Sequence, residues 1–139
     1  MSGAQAGPVG EAGRAALVEQ ARSVRVNAHA PHSGFAVGAA LLAGDGQVFL
    51  GVNVENAASP AGMCAERAAL AAAVTAGTSA LVAIAVAGEG AGPCVPCGMC
   101  RQALHELAPD LTVHAAGAVG PAVTYHLGRD LLPHAFRLP

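Results

Sequence analysis

The sequence predicts one α/β domain, a three-layer α/β/α sandwich on a mixed sheet of about five strands. Three observations lead there. A chain of 139 residues is one domain's worth. Short apolar runs alternate with helix-forming stretches, which implies crossover units and helices on both faces of a sheet. The turn signal Ala43-Gly44-Asp45-Gly46 joins two neighbouring apolar runs, so at least one strand pair runs antiparallel.

Residues 1–13, rich in Gly, Ala and Pro, are expected to form a flexible tail, leaving residues 14–139 as the domain. From Arg14 to Ala28, the positions Leu17, Ala21, Val24 and Ala28 share one helical face. Phe35 to Leu42 is apolar on both faces, as a doubly covered strand requires. Beyond the turn, Val48, Leu50, Val52 and Val54 alternate with Phe49, Gly51, Asn53 and Glu55, the period of a strand. Cys64 to Ala76 has high helix propensity and is apolar nearly all round, so the helix is buried, with Gly77 ending it. Leu81 to Ala87 reads as another buried strand. The Gly/Pro loop Gly88 to Pro96 leads to a helix over Cys97 to Leu107, stopped before Pro109. Leu111 to Ala115 and a short run from Val123 to Tyr125 complete the strands. No internal repeat is visible.

Composition narrows the function. Only 12% of residues are charged against 53% apolar, a balance that a homo-oligomer hiding part of each surface would reconcile with solubility. Seven basic and nine acidic residues leave a net charge of −2 and no basic stripe, which disfavours nucleic acid as a partner. A nucleobase substrate would arrive as a small molecule. No run approaches the ~20 apolar residues of a membrane span, and no basic-then-apolar leader opens the chain. A cytoplasmic location is expected, where four cysteines favour metal ligation over disulfides.

The chemistry centres on Cys64, Cys97 and Cys100. Cys97-Gly98-Met99-Cys100 has the two-residue gap that lets two thiolates share a tetrahedral metal, and Cys64 offers a third ligand from the start of another helix. Three protein ligands leave one position open, the mark of a catalytic zinc site. Taken alone, Cys97 and Cys100 also fit a redox pair, and Cys64 a small buried residue. Glu66 beside them decides for the metal. It lies two residues past Cys64, a spacing that works if Cys64 caps the helix and Glu66 reaches round from the first turn. Zinc's two positive charges against three thiolates leave one negative charge to offset. Helix N-termini aimed at the sulfurs would help. Arg67 fits equally a pairing with a thiolate and a surface ion pair. Cys94 creates a second Cys-x-x-Cys register, but the helix-forming run after Cys100 favours the later pair and leaves Cys94 a spare thiol. Six scattered histidines show no ligand spacing.

These residues resemble the cytidine deaminase family in its small, three-cysteine form. Cys64-Ala65-Glu66-Arg67 is similar to its first zinc motif, and Pro96-Cys97-Gly98-Met99-Cys100-Arg101-Gln102 to its second. The resemblance extends through Phe35 to Leu41, Asn53-Val54-Glu55-Asn56, Leu131-Leu132-Pro133 and Phe136, covering roughly residues 14 to 138.

The resemblance implies hydrolytic deamination of cytidine or deoxycytidine in pyrimidine salvage. A water activated by Zn2+ would attack C4 while Glu66 shuttles protons. It further implies that Asn53 and Glu55 hold the ribose hydroxyls, Phe35 stacks near the base and the Ala65 backbone contacts it. Phe136 would reach a neighbouring subunit's pocket, which implies a homotetramer. His29, His32 and Ser59 stand where the family usually has Tyr, and Pro60 is unusual. These departures bear on sugar selectivity, and they keep a modified cytosine nucleoside, such as a blasticidin-type antibiotic, as the alternative substrate. A non-catalytic zinc module is a further alternative, disfavoured because such a site would want a fourth protein ligand where Glu66 stands.

Overall fold

The computed structural model describes residues 9–78 and 80–139. Eight principal elements follow in order: α1 (Gly10–Val24), β1 (Gly38–Ala43), β2 (Val48–Val52), α2 (Ala65–Thr75), β3 (Leu81–Ala87), α3 (Gly98–Leu107), β4 (Thr112–Ala116) and β5 (Val123–His126). The strands form one sheet in the order β2-β1-β3-β4-β5. β1 runs antiparallel to both β2 and β3, β3 and β4 are parallel, and β5 returns antiparallel to β4. The sheet is therefore mixed and five-stranded. Its parallel pair is the one joined through a helix, since a parallel return needs a crossover.

Two apolar layers hold helices on opposite faces. Ala65, Ala69, Leu70 and Ala73 of α2 and Leu104 of α3 pack on Leu41, Ile84, Val86 and Val113. On the other face Leu17, Val18 and Ala21 of α1 meet Ala40, Ala83, Ala85, Ala87 and Ala116. A sheet face made of alanines lets a helix approach closely. At Gly38 a Cβ would lie 2.0 Å from the Ala21 carbonyl oxygen, so only glycine fits.

Several boundaries differ from expectation, each for a local reason. The first helix begins at Gly10, so residues 10–13 of the expected tail are helical; an Arg14–Glu11 ion pair of 2.6 Å spans this first turn. The tail's residues 1–8 lie outside the described residues. The helix also ends earlier, giving way to a 3-10 turn at Arg25–Asn27 and an extended Ala28. β1 starts at Gly38 because the Phe35 carbonyl and the Val37 amide bond to the Asn53 side chain, and Ala36 to Arg25 and Glu89, in place of ladder partners. Asn53 Oδ1 accepts from the Val37 amide at 2.9 Å and Asn53 Nδ2 donates to the Phe35 carbonyl at 2.8 Å. α2 ends as anticipated at Gly77 (φ 82°), whose amide donates to Val74 while Thr78 donates to Ala73. This paired bonding is the Schellman closure that a left-handed glycine permits. A single π turn, Leu127–Leu131, follows β5.

Candidate active site

Helix α2 follows β2 and helix α3 follows β3, and the residue immediately before each helix is a cysteine. Cys64 is the N-cap of α2 (φ −78°, ψ 155°) and Cys97 the N-cap of α3 (φ −68°, ψ 167°). Their backbones are extended, so each side chain swings clear of its helix and neither is spent on a capping bond. Cys100, in the first turn of α3, is buried. One sulfur from each of Cys64, Cys97 and Cys100 lies within 4.8 Å of the other two.

This trio suits zinc. Metal–sulfur bonds of about 2.3 Å in a tetrahedron place sulfurs about 3.8 Å apart, a contraction of about 1 Å at most. Among the described residues no fourth His, Cys, Asp or Glu joins the group, which leaves a coordination corner for water or substrate. The electrostatics also ask for a cation. Burial opposes ionisation of Cys97, but hydrogen bonds from the Cys100 amide, the Cys100 and Cys64 thiols and the Met99 amide together hold the thiol below its ordinary range. Burial pushes Cys100 the other way, reinforced by the Glu66 carboxylate and the Cys64 sulfur. Three thiolates at this spacing need a divalent ion to coexist.

Glu66, the second residue of α2, is only 4% exposed. Burial raises its carboxyl above the usual range, with the helix-start backbone and Arg67 pulling the other way. A carboxyl shifted in that direction holds a proton more readily than a solvated one, which suits a group that must both take and give one. Arg67 turns toward the sulfurs: one terminal nitrogen lies 4.0 Å from Cys64 Sγ, and its buried Nε has no partner. Arg101 was not anticipated from the sequence. Its Nε donates to the Pro96 carbonyl at 2.7 Å and Nη1 to Leu131 at 2.8 Å, tying the Cys97 loop to the C-terminal turn. Its place directly after Cys100 was the available signal.

A cavity of about 360 Å³ opens beside the trio. That is the size of a small-molecule site. Asn53, Glu55, Cys64, Ala65, Glu66, Arg67 and Cys97 all line it. Residues 53–55 run between two neighbours to make one wall. Glu55 donates its amide to the His29 carbonyl at 2.8 Å, and Val54 and Met63 exchange bonds at 2.9 Å. Glu55 accepts from the His32 and Ser33 amides and the Ser33 hydroxyl, an arrangement with no signal in spacing alone.

Three expected residues lie outside this lining: the buried Cys100, Phe35 and Phe136. Phe35, 43% exposed, rests its ring tip beside Gly88, where Cys94 also packs. Phe136 is 70% exposed, its carbonyl accepting from Gln102 at 3.2 Å. Ser59 lines the cavity, and so does Cys94, expected only as a spare thiol. Burial, then the Glu66 charge, pushes the Cys94 thiol up to about 11, so it stays protonated at neutral pH.

The chain's relatives agree with this geometry. The family model for the cytidine and deoxycytidylate deaminase zinc-binding region matches residues 13–116. A cytidine deaminase from Halalkalibacterium halodurans is 42% identical over 123 residues, covering 88% of this chain and 93% of the relative. The crystal structure of cytidine deaminase from Burkholderia pseudomallei superposes with a TM-score of 0.84 at 49% identity, covering 88% of this chain and 98% of that one. That of cytidine deaminase from Mycobacterium tuberculosis gives 0.78 at 38% identity, covering 89% and 97%. The chain belongs to the zinc-binding cytidine and deoxycytidylate deaminase family.

Proposed function

We propose that the chain hydrolyses cytidine and deoxycytidine to uridine and deoxyuridine with release of ammonia, serving pyrimidine salvage. The observation that carries this is the buried Glu66 carboxyl on the wall of a cavity that Cys64 and Cys97, two of three clustered cysteines, also line. Its near relatives are named cytidine deaminases, which supports the choice of substrate. A zinc ion held by Cys64, Cys97 and Cys100 would supply Lewis-acid activation of water at the open corner.

The chain's own groups do the rest. Glu66 takes a proton from the attacking water and passes it to ring N3 as oxygen bonds to C4. It then takes the second water proton from the new C4 hydroxyl and gives it to the exocyclic amine, so that the C4–N bond breaks, the C4 oxygen becomes a carbonyl, and ammonia departs. The Ala65 backbone holds the base, Phe35 flanks it, and Asn53 and Glu55 hold the sugar hydroxyls. Arg67 offsets thiolate charge, a role supported by its 4.0 Å approach to Cys64. The working form in this reading is a cytoplasmic homotetramer in which Phe136 reaches a neighbour's pocket. Support comes from the 70% exposure of Phe136 and from four cysteines free of disulfides.

Ammonia release measured on cytidine, deoxycytidine and an aminoglycosyl-cytosine antibiotic tests the substrate. Efficient turnover of the first two supports the reading, and turnover of the antibiotic alone overturns it. Glu66→Gln is expected to keep zinc and fold while losing about a thousandfold or more in kcat. Near-normal turnover would remove Glu66 from the mechanism.

A further inference from the structure

We infer that Ser33 is a positioning residue for sugar recognition: its hydroxyl, with the 32–33 backbone amides, holds the Glu55 carboxylate in the orientation that accepts a ribose hydroxyl. The inference rests on the reading of Glu55 as a sugar ligand and adds what sets its geometry.

Glu55 Oε1 accepts from the His32 amide at 2.9 Å and the Ser33 amide at 3.1 Å. Glu55 Oε2 is bonded to the Ser33 hydroxyl. The direction of that bond is settled by a fourth contact. Ser33 Oγ accepts from the Phe35 amide at 2.9 Å, so its single proton is free to be given to Glu55. The Glu55 backbone is held by the same loop through its amide bond to His29. Main chain and side chain of Glu55 are thus both fixed by residues 29–33.

Counting acceptor positions shows what this does. A carboxylate offers about four lone-pair directions. Two on Oε1 and one on Oε2 are taken, leaving Oε2 as the oxygen with an open acceptor site. Neighbouring Asn53 is restricted likewise. Its Oδ1 serves the Val37 amide and one Nδ2 proton the Phe35 carbonyl, which leaves one donor proton and one Oδ1 lone pair. The pair therefore presents the open Glu55 acceptor and the free Asn53 donor on the cavity wall, complementary to a sugar diol. Glu55 is only half-buried, so without Ser33 its side chain would turn among solvated rotamers.

Ser33→Ala should raise KM for cytidine about tenfold with kcat within about twofold, since a hydrogen bond to a charged group is worth about that factor. The kcat/KM preference for cytidine over 2′,3′-dideoxycytidine should shrink by the same factor. Ser33→Thr, which keeps the hydroxyl, should return the preference to within about twofold. A wild-type preference in Ser33→Ala overturns the inference, as does an equal fall in kcat on both nucleosides. A Ser33→Thr enzyme as poor as Ser33→Ala would assign the effect to loop shape and also overturn it. Glu55→Ala separates the two levels. If it abolishes the preference while Ser33→Ala keeps it, only the positioning role fails; if it keeps the preference, the sugar-ligand reading itself fails.

Discussion

Replacing Gly51 by alanine tests how the fold places the catalytic helix. Gly51 is buried in β2 beneath the first turns of α2. A Cβ there would lie 2.3 Å from the Ala65 carbonyl oxygen, 2.5 Å from the Ala69 nitrogen and 3.0 Å from the Ala68 Cβ. The two closest atoms are backbone, so no rotamer change can relieve the clash. Reaching van der Waals separation requires α2 to recede by about 1 Å, and overpacking of this kind costs about 1–3 kcal/mol. The lack of a flexible obstacle argues for the upper half of that range. At about 3–5 °C per kcal/mol, the melting temperature should fall by about 6–15 °C. The same shift carries Cys64 and Glu66 away from the Cys97 loop, and a 1 Å misplacement costs on the order of a hundredfold in rate. The assay pairs thermal unfolding with kcat for ammonia release on zinc-loaded enzyme. Gly90→Ala is the control, because a Cβ there meets nothing within 4 Å. A Gly51→Ala enzyme with wild-type kcat and a melting temperature within about 1 °C would refute the close-packing argument.

Two further outcomes concern buried charge. His114 is fully buried on β4, bonded through Nδ1 to Thr124 at 2.9 Å, with Nε2 unpartnered. Burial, then the Arg14 charge, lowers its pKa from 6.5 to about 4. Between those values the unfolded chain binds the extra proton. The His114 contribution to stability is therefore complete above pH 6.5 and is lost as pH falls toward 4, a difference of about 3 kcal/mol. Denaturant unfolding of wild type and His114→Gln should show the wild type losing more stability between pH 7 and pH 4.5; parallel losses would contradict this. Arg67→Gln should weaken zinc retention about tenfold or more in competition with a chelator, because the charge 4.0 Å from Cys64 Sγ is gone. Unchanged retention would make Arg67 irrelevant to the metal site.

What could be read from the sequence was chemistry that spacing encodes. A two-residue gap between Cys97 and Cys100 already brings their sulfurs together at one helix start. The Cys64–Glu66 spacing made sense only with Cys64 as a cap, and Cys64 does occupy the α2 N-cap. The buried strands were legible for the same local reason, since Leu81 to Ala87 is apolar at every position and forms β3 over those residues. What escaped depended on contacts between distant residues. β1 begins at Gly38 and not Phe35 because the Asn53 amide, 16 residues from Val37, takes the place of a strand partner. Ser33 and Glu55 are 22 residues apart and carry no shared pattern. Register alone makes Cys94 a spare thiol, because it says nothing about which wall a loop residue faces. The helix start at Gly10 was hidden by a Gly- and Ala-rich composition that suits tail and helix alike.

Zinc content of the purified protein, combined with X-ray absorption at the zinc edge, tests the central claim most directly. The account predicts one zinc per chain bound by three sulfurs and one oxygen or nitrogen atom. A protein that folds without stoichiometric zinc, or whose zinc carries four sulfurs because Cys94 has joined the sphere, would contradict it.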